Sequence, residues 1–344
     1  MSSLPLVSIM IATKDRHEDL AFTLSDLCRQ DYPALELLIL DDASTPPVEP
    51  LVRKIWPEVR IVRYEQSAGQ TTRRNEGFKL AHGEFILHLD DDCSPVDAGC
   101  IRRSVEIMQA ESRAAAIAYY VFNGLTLPAA LEKHTVAPGY CLSYTGAAGF
   151  LRKASVEQTA GYRERYFGYA EEEELGLQFL QNGMCVLFRP EMLAHHRFSN
   201  VNRNKEQSWK RALRNRLWTI VIHSPWNALP LEAGWKIGNG LWDALRLGRL
   251  RLFFAAMGEM FAGMSAALAV RDPLKPMPKL RYDALRLFGT LTREQFDDPP
   301  KRGLKDTMRW ARNWPNQLRE GSRWSKKKNV GRAGLPMHEH EVTR

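Results

Sequence analysis

Paired cysteines are missing from this sequence. Its five cysteines (Cys28, Cys93, Cys100, Cys141 and Cys185) show no C-x-x-C spacing. An odd, scattered set speaks against a disulfide framework and for reduced thiols in a cytosolic compartment. Glycine-rich phosphate loops are missing too. No G-x-G-x-x-G follows the first apolar run, and no G-x-x-x-x-G-K precedes a Ser or Thr. Neither a dinucleotide fold nor a P-loop is therefore supported. No basic stretch followed by an apolar one opens the chain, so no signal peptide is expected. No internal repeat is visible. The stretch 252–270 comes nearest to a membrane span, but Glu259 and Ser265 interrupt it and Arg246, Arg249, Arg251 and Arg271 flank it. A span needs about 20 strongly apolar residues, and a central Glu costs roughly 2.5–3.5 kcal/mol on insertion. An interfacial or core helix is the expectation.

What is present is enough for a large core: 344 residues, 44% of them hydrophobic, with a net charge of +8. The charge is uneven, since residues 1–200 carry −7 and residues 201–344 carry +15. This asymmetry suggests an acidic catalytic part and a basic part facing an anionic partner.

The first 120 residues alternate strand and helix signals, the pattern of a parallel sheet. Strands are expected at 7–11, 35–40, 59–64, 85–89 and 114–121, and helices at 18–29 and 71–81. Polar clusters end three strands: Thr13 to Asp15, Asp41-Asp42, and Asp90-Asp91-Asp92. Open α/β sheets place ligands at such ends. Asp90 and Asp92 point to one side of a strand, where two hard oxygen ligands suit Mg²⁺ or Mn²⁺. The plain alternative is a solvated acidic turn whose Ser94-Pro95 opens a helix. Cys93 reads as a packing residue. From 201 the chain becomes helical and basic, and from 321 it lacks an apolar period and reads as a disordered tail.

These pieces in this order resemble the family-two inverting glycosyltransferases. The resemblance rests on residues 7–16, Gln30-Asp31-Tyr32-Pro33, residues 38–44, Arg74-Asn75-Glu76-Gly77, residues 81–86 and Leu89-Asp90-Asp91-Asp92. Residues 149–153, 161–164, Glu171-Glu172-Glu173-Glu174-Leu175 and His195-His196 continue it. It implies a GT-A fold over residues 1–200: an α/β domain with a mostly parallel, twisted sheet and flanking helices. A basic helical extension would cover 201–320 and the tail 321–344. It also implies a nucleotide-sugar donor, a divalent metal, and a saccharide or lipid-linked acceptor. By the same resemblance Asp92 would bind the metal, and Asp90 the ribose or a metal-bound water. His195 or His196 would complete the shell. Asp42 would meet the donor base. Ala12, Thr13, Asp15, Arg16, Arg74 and Asp91 would border the nucleotide. Glu172 falls at the family's catalytic Asp position. This departure leaves Glu171 and Glu172 both open as the base that takes the acceptor proton.

Arg214-Asn215-Arg216-Leu217-Trp218 and the helices after it look more loosely like bacterial members that build surface polysaccharides. Basic amphipathic helices suit an anionic membrane surface, so a peripheral place on the inner face of the cell membrane is expected. A nucleotidyltransferase would normally need a glycine- and basic-rich loop after the first strand, where Thr13 to His17 has no glycine. A catalytically silent scaffold is the reading from another class. The tryptophans among the arginines fit helix packing as well as nucleic acid, which is the disfavoured partner.

Overall fold

The computed structural model describes residues 4–127, 137–198 and 205–300. Four apolar runs form its first sheet half: β1 (Val7–Thr13), β2 (Leu35–Asp41), β3 (Arg60–Arg63) and β4 (Phe85–Asp90). They pair in parallel in the order β3-β2-β1-β4. Parallel neighbours need crossovers, supplied by α1 (His17–Leu27), α2 (Glu49–Ile55) and α3 (Gln70–Leu80). Leu20, Leu24 and Leu27 recur at helical spacing, and that face of α1 is the buried one. The register sets Ala12 beside Asp90 and Thr13 beside Asp41. The polar strand ends therefore meet at one sheet edge.

The second half is mixed. It comprises β5 (Cys93–Pro95), α4 (Cys100–Ala110), β6 (Ala114–Asn123), β7 (Gly139–Cys141), β8 (Ala148–Arg152), α5 (Lys153–Glu157), α6 (Glu171–Gln181) and β9 (Cys185–His196). The nine-stranded sheet runs β3-β2-β1-β4-β8-β6-β9-β5, with β7 also on β9. The helix start that the plain alternative placed at Ser94-Pro95 is not there. These residues pair antiparallel with β9, which sets Cys93 opposite His196 and Ser94 opposite His195. Ladder pairing with a long strand overrides the local Ser-Pro signal.

The basic part folds as α7 (Lys205–His223), α8 (Leu229–Arg246), α9 (Leu250–Ala262) and α10 (Met264–Ala269) around Trp218, Leu213 and Phe253. The stretch 252–270 is two helices broken at Gly263, where a Cβ would lie 2.2 Å from the Trp218 ring. Among the described residues no helix is long and apolar enough to cross a membrane. Glu259 faces inward, 2.7 Å from Arg214 and also paired with Lys210. The chain then returns to the first core through α11 (Pro276–Phe288) and α12 (Arg293–Asp297). Leu291 bridges Tyr140, and Phe296 stacks on the same ring at 4.5 Å. The tail expected at 321–344 lies outside the described residues.

Helix α6 sits close on the loop after β7. A Cβ at Gly176 would fall 2.0 Å from the Leu142 carbonyl oxygen, which is backbone and cannot rotate aside. Gly176→Ala should lower unfolding free energy by about 1–3 kcal/mol, measured by urea denaturation. An unchanged midpoint would show that α6 has slack.

Candidate active site

The three aspartates after β4 divide at once. Asp91 turns inward, accepting 2.7 Å bonds from Thr13 Oγ1 and Arg16 Nη1. Burial pushes its carboxyl up to about 6 against the pull of Arg16. Its role is to tie the end of β1 to the end of β4. Asp92 is fully buried, with Oδ1 3.0 Å from His196 Nε2 and Oδ2 3.5 Å from Arg16. Asp90 Oδ2 lies 4.0 Å from the same His196 nitrogen. One ligand atom from each of Asp90, Asp92 and His196 lies within 4.8 Å of the other two. Two carboxylates and an imidazole suit Mg²⁺ or Mn²⁺. His196 Nδ1 is 2.7 Å from Asn123 Oδ1. With Nδ1 donating there, Nε2 would offer its lone pair to a cation shared with the two carboxylates. His195 is not brought to this site. Strand alternation turns it the other way, and its Nε2 meets Gly124 O at 2.7 Å.

Arg74 links this cluster to α6. Its guanidinium is buried and donates to Asp90 Oδ1 at 2.6 Å and Gly146 O at 2.9 Å. It also reaches Glu172 at 3.4 Å and Glu171 at 3.5 Å. Glu171 is buried, and its Oε2 has no hydrogen-bond partner in the fold. Burial, then the Glu171 charge, pushes Glu172 up to about 8 despite Arg74. Gly146 makes room for it, since a Cβ there would lie 2.0 Å from Glu172 Oε1. The other two glutamates are held elsewhere. Glu173 pairs with Arg216 at 3.1 Å. Glu174 takes Arg163 at 3.0 Å and His223 at 2.8 Å.

The approach to these glutamates is a run of left-handed backbone: Phe167 (φ 54°), Gly168 (96°), Tyr169 (72°) and Ala170 (69°). Only Gly takes this region without cost, so the surroundings must hold it. Asn215 Nδ2 donates to Tyr166 O, Gly168 O and Tyr169 O at 3.1, 2.9 and 2.7 Å. Arg214 adds a 3.0 Å bond to Tyr166 O. The sequence singled out this Arg-Asn pair without reading its task.

The nucleotide residues are placed less as expected. Asp42 accepts from Ser67 Oγ at 2.6 Å, Ala68 N at 2.9 Å, Gly69 N at 3.0 Å and Arg73 Nε at 2.6 Å. A base N–H would have to replace one of these. The neighbouring Asp41 accepts Ser44 N at 2.9 Å. Arg73 is buried with its guanidinium 3.4 Å over the Tyr64 ring. Asp15 accepts Thr45 N at 2.7 Å. Ala12 is half-buried at the end of β1, in register with Asp90.

This architecture is found in solved sugar transferases. A mannosyltransferase from Pyrobaculum calidifontis, in complex with GDP-Man and Mn²⁺, matches at TM-score 0.54 and 16% identity, over 78% of this chain and 79% of that one. TarS 1–349 of S. aureus, in complex with UDP-GlcNAc, matches at TM-score 0.56 and 16% identity, over 77% and 84%. The fold is thus that of the GT-A glycosyltransferases. Residues 8–169, a little under half of the chain, match the family model described as Glycosyl transferase family 2. A Bacillus subtilis protein named as teichuronic acid biosynthesis glycosyltransferase TuaG is 25% identical over 224 residues, 60% of this chain and 84% of its own. The O-antigen biosynthesis protein RfbC of Myxococcus xanthus is 28% identical over 221 residues, 56% of this chain but 17% of its own length.

The raised Glu172 carboxyl has a consequence for stability. Its folded value lies above the ordinary 4.5, so its contribution is full below that value and is lost as pH rises through about 8. Glu172→Gln should therefore melt progressively higher than the parent as pH rises from 5 to 9 (about the range set by these values). A melting difference that is flat with pH would show that Glu172 titrates normally.

Proposed function

We propose that this protein is an inverting glycosyltransferase that moves a sugar from a nucleoside-diphosphate donor to a hydroxyl of a saccharide or lipid-linked acceptor. The observation that carries this reading is the Arg74 bridge between the Asp90, Asp92 and His196 cluster and the pair of buried Glu171 and half-buried Glu172. One end has the donor set for a cation, and the other has a carboxylate of raised proton affinity.

Asp92, Asp90 and His196 would hold Mg²⁺ or Mn²⁺, which when bound offsets the charge that develops on the leaving diphosphate. Asp91 and Arg16 fix the strand ends against which the nucleotide lies. Glu172 takes the proton of the acceptor hydroxyl as its oxygen attacks the anomeric carbon. Its high proton affinity suits that task, because the proton is moving to it in the transition state. Glu171 Oε2 is buried without a hydrogen-bond partner in the fold, and a sugar hydroxyl that met it on binding would be oriented by that bond. In this reading the acceptor is met at an anionic membrane surface, in surface-polysaccharide synthesis. Support comes from the charge of +15 over 201–344. The names of the TuaG and RfbC relatives agree with that setting.

Two outcomes test the reading. A thermal-shift screen of nucleoside diphosphates with and without Mn²⁺ should show metal-dependent stabilisation by one nucleotide, and Asp92→Asn should remove it. No response to any nucleotide would favour a silent scaffold. Separately, Glu172→Gln should cut turnover by about a hundred- to ten-thousand-fold while donor still binds. Near-normal turnover would move the base to Glu171 or elsewhere.

A further inference from the structure

Among the described residues, the helical part carries one exposed apolar face. On α8, Leu231, Gly234, Trp235, Gly238, Trp242 and Leu245 recur every three or four residues and so form one stripe. Leu231 is 78% exposed and Trp242 63%, and Gly234 and Gly238 face open space. The opposite side of α8 buries Gly240 and Ala244. Helix α9 continues the pattern, with Phe254 and Phe261 each 65% exposed while Phe253, Ala256 and Met260 are buried. Monomeric proteins rarely show such a contiguous surface without a use for it.

The rim says what kind of partner fits. Arg246 and Arg251 are exposed beside the stripe, with Arg249 and Arg271 half-buried. Arg271 lies 3.9 Å over the ring of the exposed Trp226. The nearby acids are neutralised: Glu259 by Lys210 and Arg214, and Glu232 by Lys279. Asp243 sits on the flank between Lys236 and Arg246.

We propose that the α8–α9 face docks on a bilayer containing anionic phospholipid, its tryptophan, phenylalanine and leucine side chains entering the interface and its arginines meeting the headgroups. A second copy of the chain fits poorly, because two-fold pairing would set the same arginines against one another. The inference rests on the membrane-surface reading above and names the surface that performs it. It is read by binding alone, so it stands or falls apart from the transfer chemistry.

The test is co-sedimentation of the full chain with vesicles of phosphatidylcholine, alone or mixed with phosphatidylglycerol. The parent should bind the mixed vesicles, and added salt should weaken binding. Trp242→Glu with Phe254→Glu should weaken it by on the order of a hundredfold without changing the melting temperature or transfer to a water-soluble acceptor. Arg246→Glu with Arg251→Glu should lose the preference for anionic vesicles. Equal binding by parent and both double variants would overturn the proposal. So would a parent that ignores vesicles and forms a dimer that Trp242→Glu dissociates.

Discussion

The arrangement hinges on Arg74. A buried guanidinium is tolerable only when its charge and its N–H groups are met. Here Asp90, Gly146 O and the Glu171-Glu172 pair meet them. The dependence runs both ways, since three carboxylates crowd the same volume and would repel one another without it. Arg74 sits on α3, Asp90 ends β4 and the glutamates open α6. One side chain therefore fixes the distance between the cation cluster and the proposed base, and couples the charge state of one to the other.

Around that link the acidic runs split into working and supporting members, and the split follows partner supply. Asp91 is answered by Thr13 and Arg16, Glu173 by Arg216, and Glu174 by Arg163 and His223. Burial alone would push Glu174 up, yet those partners hold it below the usual carboxylate range. Glu172 loses solvent, has a like charge beside it and shares one arginine, so its proton affinity rises instead. Four identical glutamates thus acquire different chemistry from what faces each one.

Much of this was legible in the sequence. The five expected strands and the two expected helices all exist, because buried parallel strands and crossover helices write strong, distinct periods. Asp90 and Asp92 do share a side, yet not by strand alternation: β4 ends at Asp90, and the turn through Asp91 and Asp92 into β5 brings both carboxylates near His196. The choice between His195 and His196 was not legible, since it depends on the β5 and β9 register, a long-range pairing that local pattern cannot carry. The place of Arg73 was not legible either, for a related reason. Its partners Asp42, Gln66 and Tyr64 come from the β2 end and the turn before α3, so its burial is a tertiary fact. The clamp of Asn215 on the 166–169 carbonyls left only a short Arg-Asn signal, 46 or more positions from its target.

Glu259 shows how a local reading and a tertiary one can both be right. In sequence it is the charge that makes 252–270 a poor membrane span. In the fold it lies on the side of α9 away from Phe254 and Phe261, paired with Arg214 and Lys210 of α7. Arg214 in turn donates to Tyr166 O, at the start of the left-handed run that delivers Glu171 and Glu172. The charge that counts against a span is thus the one that pairs α9 with α7. A helix with an apolar outer face and an ion-paired inner face can lie on an interface without entering it. Its inner contacts then place the interface at a fixed offset from the proposed base. An acceptor whose anionic end stays at the headgroup level would be presented to Glu172 by the same contacts that hold the loop in shape.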